Sequence, residues 1–216
     1  MALQPSLRRA LVIAGSYDAP HTLDIFLDYV CPFSAKLSLT IESVLRPFFD
    51  KGGKYEGKVK VIFRNQVQPW HASSTWVHEA GLAVARVSPE NFWAFSLALF
   101  KRQGEFFDIP TSTLTPTQVR QKLAALSAEV IGANSKDAVL DLITLKTSPN
   151  GGVDVTDDLK YTSMSPGAND VGGSTTDVLP CSQIQQAKWY PRFPDRLMGW
   201  FGCQRDQQLL GRERVD

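Results

Sequence analysis

The residues with the clearest chemical potential are the tetrapeptide CPFS at positions 31–34. A cysteine thiolate attacks disulfides and electrophilic carbon, so the surroundings of this cysteine decide what it can do. The preceding segment, residues 23–30, is rich in Ile, Phe, Tyr and Val and predicts a β-strand. Residues 34–49 carry apolar side chains at helical spacing and predict a helix. Cys31 is therefore expected at the junction between a strand and a helix.

This junction favours a reactive thiol. Pro32 suits the first turn of a helix because its missing N–H would have no partner there. The free N–H groups and the dipole of the helix would then point at the Cys31 sulfur and stabilise its thiolate. The position predicts a nucleophilic thiol that forms mixed disulfides. A buried, inert cysteine at a helix start is the alternative, and the residues alone leave it open.

The other positions of the tetrapeptide indicate which thiol reactions Cys31 can carry out. Ser34 stands where a second cysteine would resolve a mixed disulfide, and a hydroxyl group cannot do so. We therefore predict monothiol chemistry, with Cys31 and Ser34 as the catalytic positions. Pro32 and Phe33 are predicted to contact the substrate, although Pro32 could serve only to begin the helix and Phe33 only to pack. His71 could be a base near the cysteine, or a cap or surface residue before the next helix.

Residues 21–161 resemble the thioredoxin-like superfamily and, within it, the DsbA-like group. The resemblance rests on three segments, which are HTLDIFLDYVCPFSAK (21–36), KVKVIFRNQVQPWH (58–71) and SSTWVHEAGLAVARV (73–87). It implies an α/β fold with two parallel core strands joined through the first helix, and a helical subdomain inserted at about residues 75–145. It also implies that the redox cysteine follows the first core strand in a C-x-x-C motif, whose fourth position is here Ser34.

The resemblance implies thiol–disulfide exchange or glutathione-linked oxidoreductase chemistry at Cys31. Glutathione would be a co-substrate, no other cofactor is expected, and the substrate would be a small thiol or a protein thiol. One alternative is a relative of the kappa-type glutathione transferases and chromene-carboxylate isomerases, which usually have serine at the nucleophile position. Another is a non-catalytic binding or defunct module, which Ser34 favours.

Composition excludes several other classes. The 216 residues are 43% hydrophobic and 21% charged, with a net charge of +1, which suits a domain with a sizeable core but not a nucleic-acid-binding protein. No apolar run approaches the roughly 18 residues of a membrane span. The three cysteines, at positions 31, 181 and 203, match no zinc spacing, so no metal site is predicted. They suit a reducing compartment, and we predict a cytoplasmic protein. A mitochondrial location is the less favoured alternative, suggested by Arg8 and Arg9.

The two ends of the chain are expected to differ from its centre. Residues 1–20 are predicted to be a loose lead-in, and residues 162–216 an irregular tail rich in Gly, Ser, Pro and Arg. The related folds have a cis-proline loop, a hairpin and a closing helix in that place. Synonymous codons for residues 185–215, shifted by one base, can spell HVSPTV, which resembles that loop. The hypothesis is that residues 163–183 are a translated intron, that later residues are out of frame, and that the hairpin and helix are missing.

Further elements are predicted from periodicity and turn residues between these ends. A second strand is expected at residues 58–65, parallel to the first. Helices are expected at residues 75–86, 89–102, 115–132 and 135–145. Within the third of these helices, Thr115 is the expected cap and Pro116 the expected first residue.

Overall fold

The computed structural model describes residues 3–163, and this part of the chain contains a three-stranded sheet. Its strands are β1 (Val12–Gly15), β2 (His21–Leu27) and β3 (Val59–Asn65). β3 lies in the centre, parallel to β2 and antiparallel to β1. The predicted α/β class and the parallel pairing of the two core strands are therefore confirmed.

β2 and β3 become more buried towards their carboxyl ends. The last four residues of β2 and the last five of β3 are buried, and they include the apolar runs 25–27 and 61–63 as well as Asp24, Arg64 and Asn65. The two ends meet where Leu27 lies opposite Asn65, and the N–H of Gln66 donates to the carbonyl of Leu27 at 3.0 Å. Side chains that follow these strands are thereby brought to one edge of the sheet.

The helix predicted at residues 34–49 is present but not uniform. α2 (Pro32–Thr40) continues through a π-helical segment (Ile41–Leu45) into α3 (Arg46–Phe49). The N–H of Arg46 donates to the carbonyl of Ile41, five residues earlier. Pro47 follows directly, and a proline inside a helix cannot donate the usual bond and clashes with the preceding turn. The wider π turn accommodates the proline without ending the helix.

The prediction of a loose lead-in at residues 1–20 was wrong. Residues of this segment form α1 (Arg8–Leu11) and strand β1, and Leu7 and Leu11 are fully buried. Both elements have only four residues, too few to give a periodic pattern in the sequence. Pairing with β3 stabilises β1, which ends at Gly15 with φ of 76°, where a Cβ atom would lie 2.1 Å from the carbonyl oxygen of Val59.

Helices make up most of the remaining described residues. They are α4 (Ser74–Val87), α5 (Phe92–Lys101), α6 (Asp108–Thr111), α7 (Pro116–Ile131), α8 (Ser135–Leu142) and α9 (Thr156–Ser163). The four helices predicted for this region are confirmed to within three residues at each end, the first turn of the second being a 3₁₀ segment (Pro89–Asn91). Thr115 caps α7 as predicted, in a reciprocal capping box with Gln118. None of the helices within residues 3–163 is long and apolar enough to cross a lipid bilayer.

Buried aromatic side chains form much of the core between the sheet and α5. The ring of Tyr29 lies 5.3 Å from Phe63 of β3 and 4.9 Å from Phe100 of α5. Phe63 also meets the edge of Phe92 at 5.4 Å. Tyr29 belongs to the segment between β2 and α2, so this packing fixes the chain immediately before Cys31.

The predicted tail lies almost entirely outside the described residues. Of residues 162–216, the structure describes Thr162 and Ser163, which end α9, so irregular structure does not begin where it was predicted. Thr162 is fully buried, and its hydroxyl accepts a hydrogen bond from the side chain of Asn65 at 2.6 Å. The predicted loss of the hairpin and closing helix, and the intron hypothesis, concern residues outside this part of the chain.

Candidate active site around Cys31

Cys31 occupies the position that the sequence predicts. It is the N-cap residue of α2, with extended backbone angles, and Pro32 is the first helical residue. β2 ends earlier than predicted, at Leu27, because residues 28–31 form a tight turn in which the N–H of Cys31 donates to the carbonyl of Asp28 at 3.0 Å. Cys31 is a free cysteine and 8% exposed. Its thiol therefore lies at the start of a helix, where N–H groups lack helical partners.

The other three residues of the tetrapeptide differ in burial. Ser34 is 1% exposed, and its hydroxyl accepts a hydrogen bond from the backbone N–H of Asp28 at 3.2 Å. Pro32 and Phe33 are exposed, and Phe33 is exposed over 65% of its surface. Ser34 thus holds the first turn of α2 against the turn that contains Cys31, while the Phe33 side chain is open to solvent.

Asp28 is the centre of the hydrogen bonds around this turn. Its carboxylate is fully buried, and Oδ1 accepts from the N–H of Val30 at 3.1 Å and from the Ser74 hydroxyl at 2.9 Å. Oδ2 lies 2.7 Å from Nδ1 of His71. Burial alone would raise the pKa of Asp28, but interactions with His78, His71 and the N–H of Val30 hold it below its usual value. The carboxylate is therefore ionised at neutral pH.

A second histidine approaches the same carboxylate from α4. His78 is fully buried, with Nε2 3.6 Å from Asp28 Oδ1 and no hydrogen-bond partner for Nε2 among the described residues. Its Nδ1 lies 2.9 Å from the side-chain oxygen of Asn65, whose amide nitrogen donates to Thr162. Because that oxygen can only accept, Nδ1 of His78 carries a hydrogen. The residues flanking Cys31 are thereby connected to β3, α4 and α9.

Tyr29 connects the turn before Cys31 to both α4 and α5. Its ring lies 4.9 Å from that of His78, and its hydroxyl is 2.8 Å from the hydroxyl of Ser96 on α5. Complete burial raises the pKa of Tyr29 well above its ordinary value, so the phenol stays neutral. Gly81 makes the close approach possible, since a Cβ atom there would lie 2.7 Å from the Tyr29 hydroxyl oxygen. The turn before Cys31 is thereby packed against α4 and α5.

Sequence analysis found only part of this site. Asp28, Ser74 and His78 were not identified as candidates, and the available signal was polar side chains within otherwise apolar segments. His71 was considered as a cap or as a base. In the structure the N-cap of α4 is Ser73, and the His71 side chain instead binds Asp28. Within residues 3–163, no group of three His, Cys, Asp or Glu side chains is placed to bind a metal ion.

A family model and several solved structures are similar to this chain. A family model described as thioredoxin matches residues 9–143, which are 135 of the 216 residues. Similar solved structures include the thiol-disulfide oxidoreductase MdbA from Corynebacterium diphtheriae, with 17% identity, 76% of each chain covered and a TM-score of 0.48. The thiol-disulfide exchange protein alpha-DsbA2 from Wolbachia pipientis has 18% identity, with 69% of this chain and 63% of that chain covered and a TM-score of 0.46.

A third similar structure comes from another bacterium. Oxidised BdbD from Bacillus subtilis has 23% identity, with 76% of this chain and 95% of that chain covered and a TM-score of 0.38. No curated protein matches the chain.

Proposed function

The chain belongs to the thioredoxin family, as its sequence predicts, and we propose that it is a monothiol thiol–disulfide exchange protein with Cys31 as its nucleophile. The observation that carries the proposal is the pairing of Cys31 with Ser34. The cysteine is the N-cap of α2, and the residue three positions later is a buried serine that binds the backbone of Asp28. A resolving thiol is therefore absent from the place where a dithiol protein has one.

The proposed reaction has two steps of the same kind. The Cys31 thiolate attacks one sulfur of a disulfide, so that a new S–S bond forms, the old one breaks, and the other half leaves as a thiolate that takes up a proton. A second thiol from solution then attacks the mixed disulfide as its thiolate and restores Cys31. Each step exchanges one disulfide for another, so no further oxidant is consumed.

The surroundings of the cysteine support a small thiol or a protein thiol as the substrate. Phe33 and Trp70 are exposed over 65% and 72% of their surfaces. Phe33 lies two positions after Cys31, and Trp70 directly precedes His71. Exposed aromatic side chains offer apolar contact area at a small entropic cost. Glutathione is the proposed co-substrate. The proposed location is cytoplasmic, because a reducing compartment supplies the thiol that must resolve the mixed disulfide.

Mixed-disulfide formation tests the proposal directly. The full chain with Cys181→Ser and Cys203→Ser is incubated with glutathione disulfide, and the mass of the Cys31 peptide is followed over time. We expect one glutathione adduct on Cys31, which reduced glutathione removes, and no adduct in the Cys31→Ser variant. Turnover should appear in a coupled glutathione assay, whereas insulin reduction should be slow and should increase in Ser34→Cys.

Two results would contradict the proposal. A Cys31 that forms no mixed disulfide would favour a non-catalytic module. Glutathione conjugation of an electrophilic aromatic substrate without any exchange activity would favour a relative of the kappa-type transferases.

A further inference from the structure

The proposed thiol–disulfide exchange requires a group that accepts the proton of the Cys31 thiol, and the proposal above names none. Cys31 must lose its proton before it attacks a disulfide, and the departing thiolate must gain one. The helix N-terminus stabilises a thiolate but cannot accept or donate a proton in this exchange. The described residues nearest to Cys31 in the chain, Val30 and Pro32, carry no titratable side chain.

His71 is held close to the Cys31 turn by a connection that the sequence does not suggest. Its ring nitrogen Nδ1 lies 2.7 Å from Asp28 Oδ2, and the carbonyl of Asp28 accepts the N–H of Cys31 at 3.0 Å. The hydroxyl of Ser74 reaches Asp28 Oδ1, and the N–H of Ser74 donates to the carbonyl of His71 at 3.0 Å. Two separate contacts thus fix the His71 segment to Asp28.

The same contacts determine which nitrogen of His71 is available. Asp28 is ionised and fully buried, so its oxygen can only accept, and Nδ1 of His71 must carry a hydrogen. Nε2 is then the nitrogen that gains or loses a proton. The His71 side chain is 24% exposed, so it reaches solvent at the site. A carboxylate that orients an imidazole through one nitrogen and leaves the other free for proton transfer is a common arrangement in nucleophilic catalysis.

We propose that His71 Nε2 accepts the proton of the Cys31 thiol and returns it to the departing thiolate, and that Asp28 is the positioning residue that orients His71. Sγ and Nε2 make no direct hydrogen bond in the structure, so the proposed transfer passes through solvent, which reaches the partly exposed His71 side chain. In the first step the S–H bond breaks and an N–H bond forms, and in the second the N–H bond breaks as the leaving sulfur is protonated. This inference rests on the proposed function.

The ionisable and hydrogen-bonding groups around Asp28 and His71 come from several elements. Within residues 3–163, the titratable side chains in contact with Asp28 are His71, before α4, and His78, on α4. The backbone N–H of Val30 and the hydroxyl of Ser74 also donate to Asp28. The only ionisable group hydrogen-bonded to His71 in this part of the chain is Asp28.

The test compares His71→Asn with the otherwise unchanged chain in the Cys181→Ser, Cys203→Ser background. The asparagine amide N–H can replace Nδ1–H towards Asp28, but asparagine cannot accept a proton. We expect the rate of mixed-disulfide formation at pH 7 to fall at least about tenfold, with an unchanged unfolding midpoint. The rates should converge at high pH, where hydroxide removes the thiol proton without help from His71. His21→Asn, at an exposed position, is the matched control and should have no effect.

Rescue separates proton transfer from structural support. In His71→Ala, imidazole added to the solution should restore the rate, because the vacated site is open to solvent. A folded His71→Asn variant that retains its rate within twofold, or a His71→Ala variant that imidazole does not rescue, would overturn the proposal.

Failure of this inference is distinguishable from failure of the proposed function. Alkylation of Cys31 by iodoacetamide requires a thiolate but no disulfide, so its rate should also fall in His71→Asn. If the parent chain forms no mixed disulfide, the proposed function fails, and alkylation still tests His71. If the parent chain exchanges disulfides and His71→Asn does so equally fast, the function stands and the role of His71 does not.

Discussion

Two buried aspartates in the same segment of the chain have different partners. Asp24 on β2 pairs with Arg64 on β3 at 2.7 Å, and both side chains are almost fully buried. Asp28, just after β2, pairs with His71 at the same distance and faces His78. Arginine keeps its charge at any pH that a folded protein tolerates, whereas histidine gains or loses a proton near neutrality. The first pair holds two strands together, while the second is the pair to which we assign the proposed proton transfer.

The largest expected effect comes from breaking the pair within the sheet. Arg64→Met leaves the Asp24 carboxylate buried without its partner, and we expect a loss of about 3–5 kcal/mol in the free energy of unfolding. Urea unfolding of the variant and the parent chain measures this loss in the free energy of unfolding. The double variant Arg64→Met, Asp24→Leu should recover part of the loss, because it removes the buried charge of Asp24 together with that of Arg64. A cost below about 1 kcal/mol for the single variant would contradict the structural role assigned to this pair.

Breaking the second pair should cost less stability, with a defined pH dependence. Asp28→Asn keeps an acceptor for Val30 and Ser74 but loses the charge, and we expect a loss of about 2 kcal/mol at pH 7. The folded-state pKa of Asp28 is depressed, so its contribution is present above the unfolded value of about 3.9 and is lost as the pH falls through the folded value. Urea unfolding of both proteins between pH 7 and pH 3 should therefore give curves that approach each other below about pH 4.

The matched variant Asp24→Asn provides the control for that pH series. A difference between the parent chain and Asp28→Asn that grows, rather than shrinks, below pH 4 would contradict the assigned direction of the Asp28 pKa. Asp28→Asn should also slow mixed-disulfide formation per folded molecule, whereas Asp24→Asn should not.

A smaller effect is expected at Ser34, which supports the same turn. Ser34→Ala removes the acceptor for the buried N–H of Asp28, and we expect a loss of about 1 kcal/mol in thermal or urea unfolding. Ser34→Thr keeps the hydroxyl and serves as the comparison. A fall in the Cys31 exchange rate far beyond this change in stability would give Ser34 a direct part in the chemistry.

The smallest effect on stability is expected at Phe33, which belongs to neither pair. Phe33→Ala changes an exposed side chain, so unfolding should shift by less than about 0.5 kcal/mol. If Phe33 contacts the substrate, KM for a protein disulfide should rise while the reaction with glutathione disulfide changes little. Unchanged kinetics with both substrates would remove Phe33 from the substrate-binding surface. Leu39→Ala, an exposed apolar residue later in the same helix, is a suitable control.

Local patterns were sufficient to predict the elements around the cysteine. Alternation and β-branched residues identified the strand before Cys31, and Pro32 with the apolar spacing beyond it identified the helix. These features depend on the chain within a few residues, as do the Thr115 cap and Pro116 that begin α7. β1 could not be predicted in this way, because a four-residue strand is too short for a periodic pattern and pairs with β3, which lies far along the chain.

The sequence by itself determined that a single thiol would stand at a helix start, with a serine in place of a second thiol. Cys31, Pro32 and Ser34 are neighbours in the chain, so their spacing already specifies their geometry once the helix forms. Only the tertiary structure decided what surrounds that thiol. Asp28 and His71 are 43 positions apart, and the parallel pairing of β2 with β3 brings both to one edge of the sheet. A contact between distant residues depends on the register of the sheet and on packing, and the local sequence pattern specifies neither.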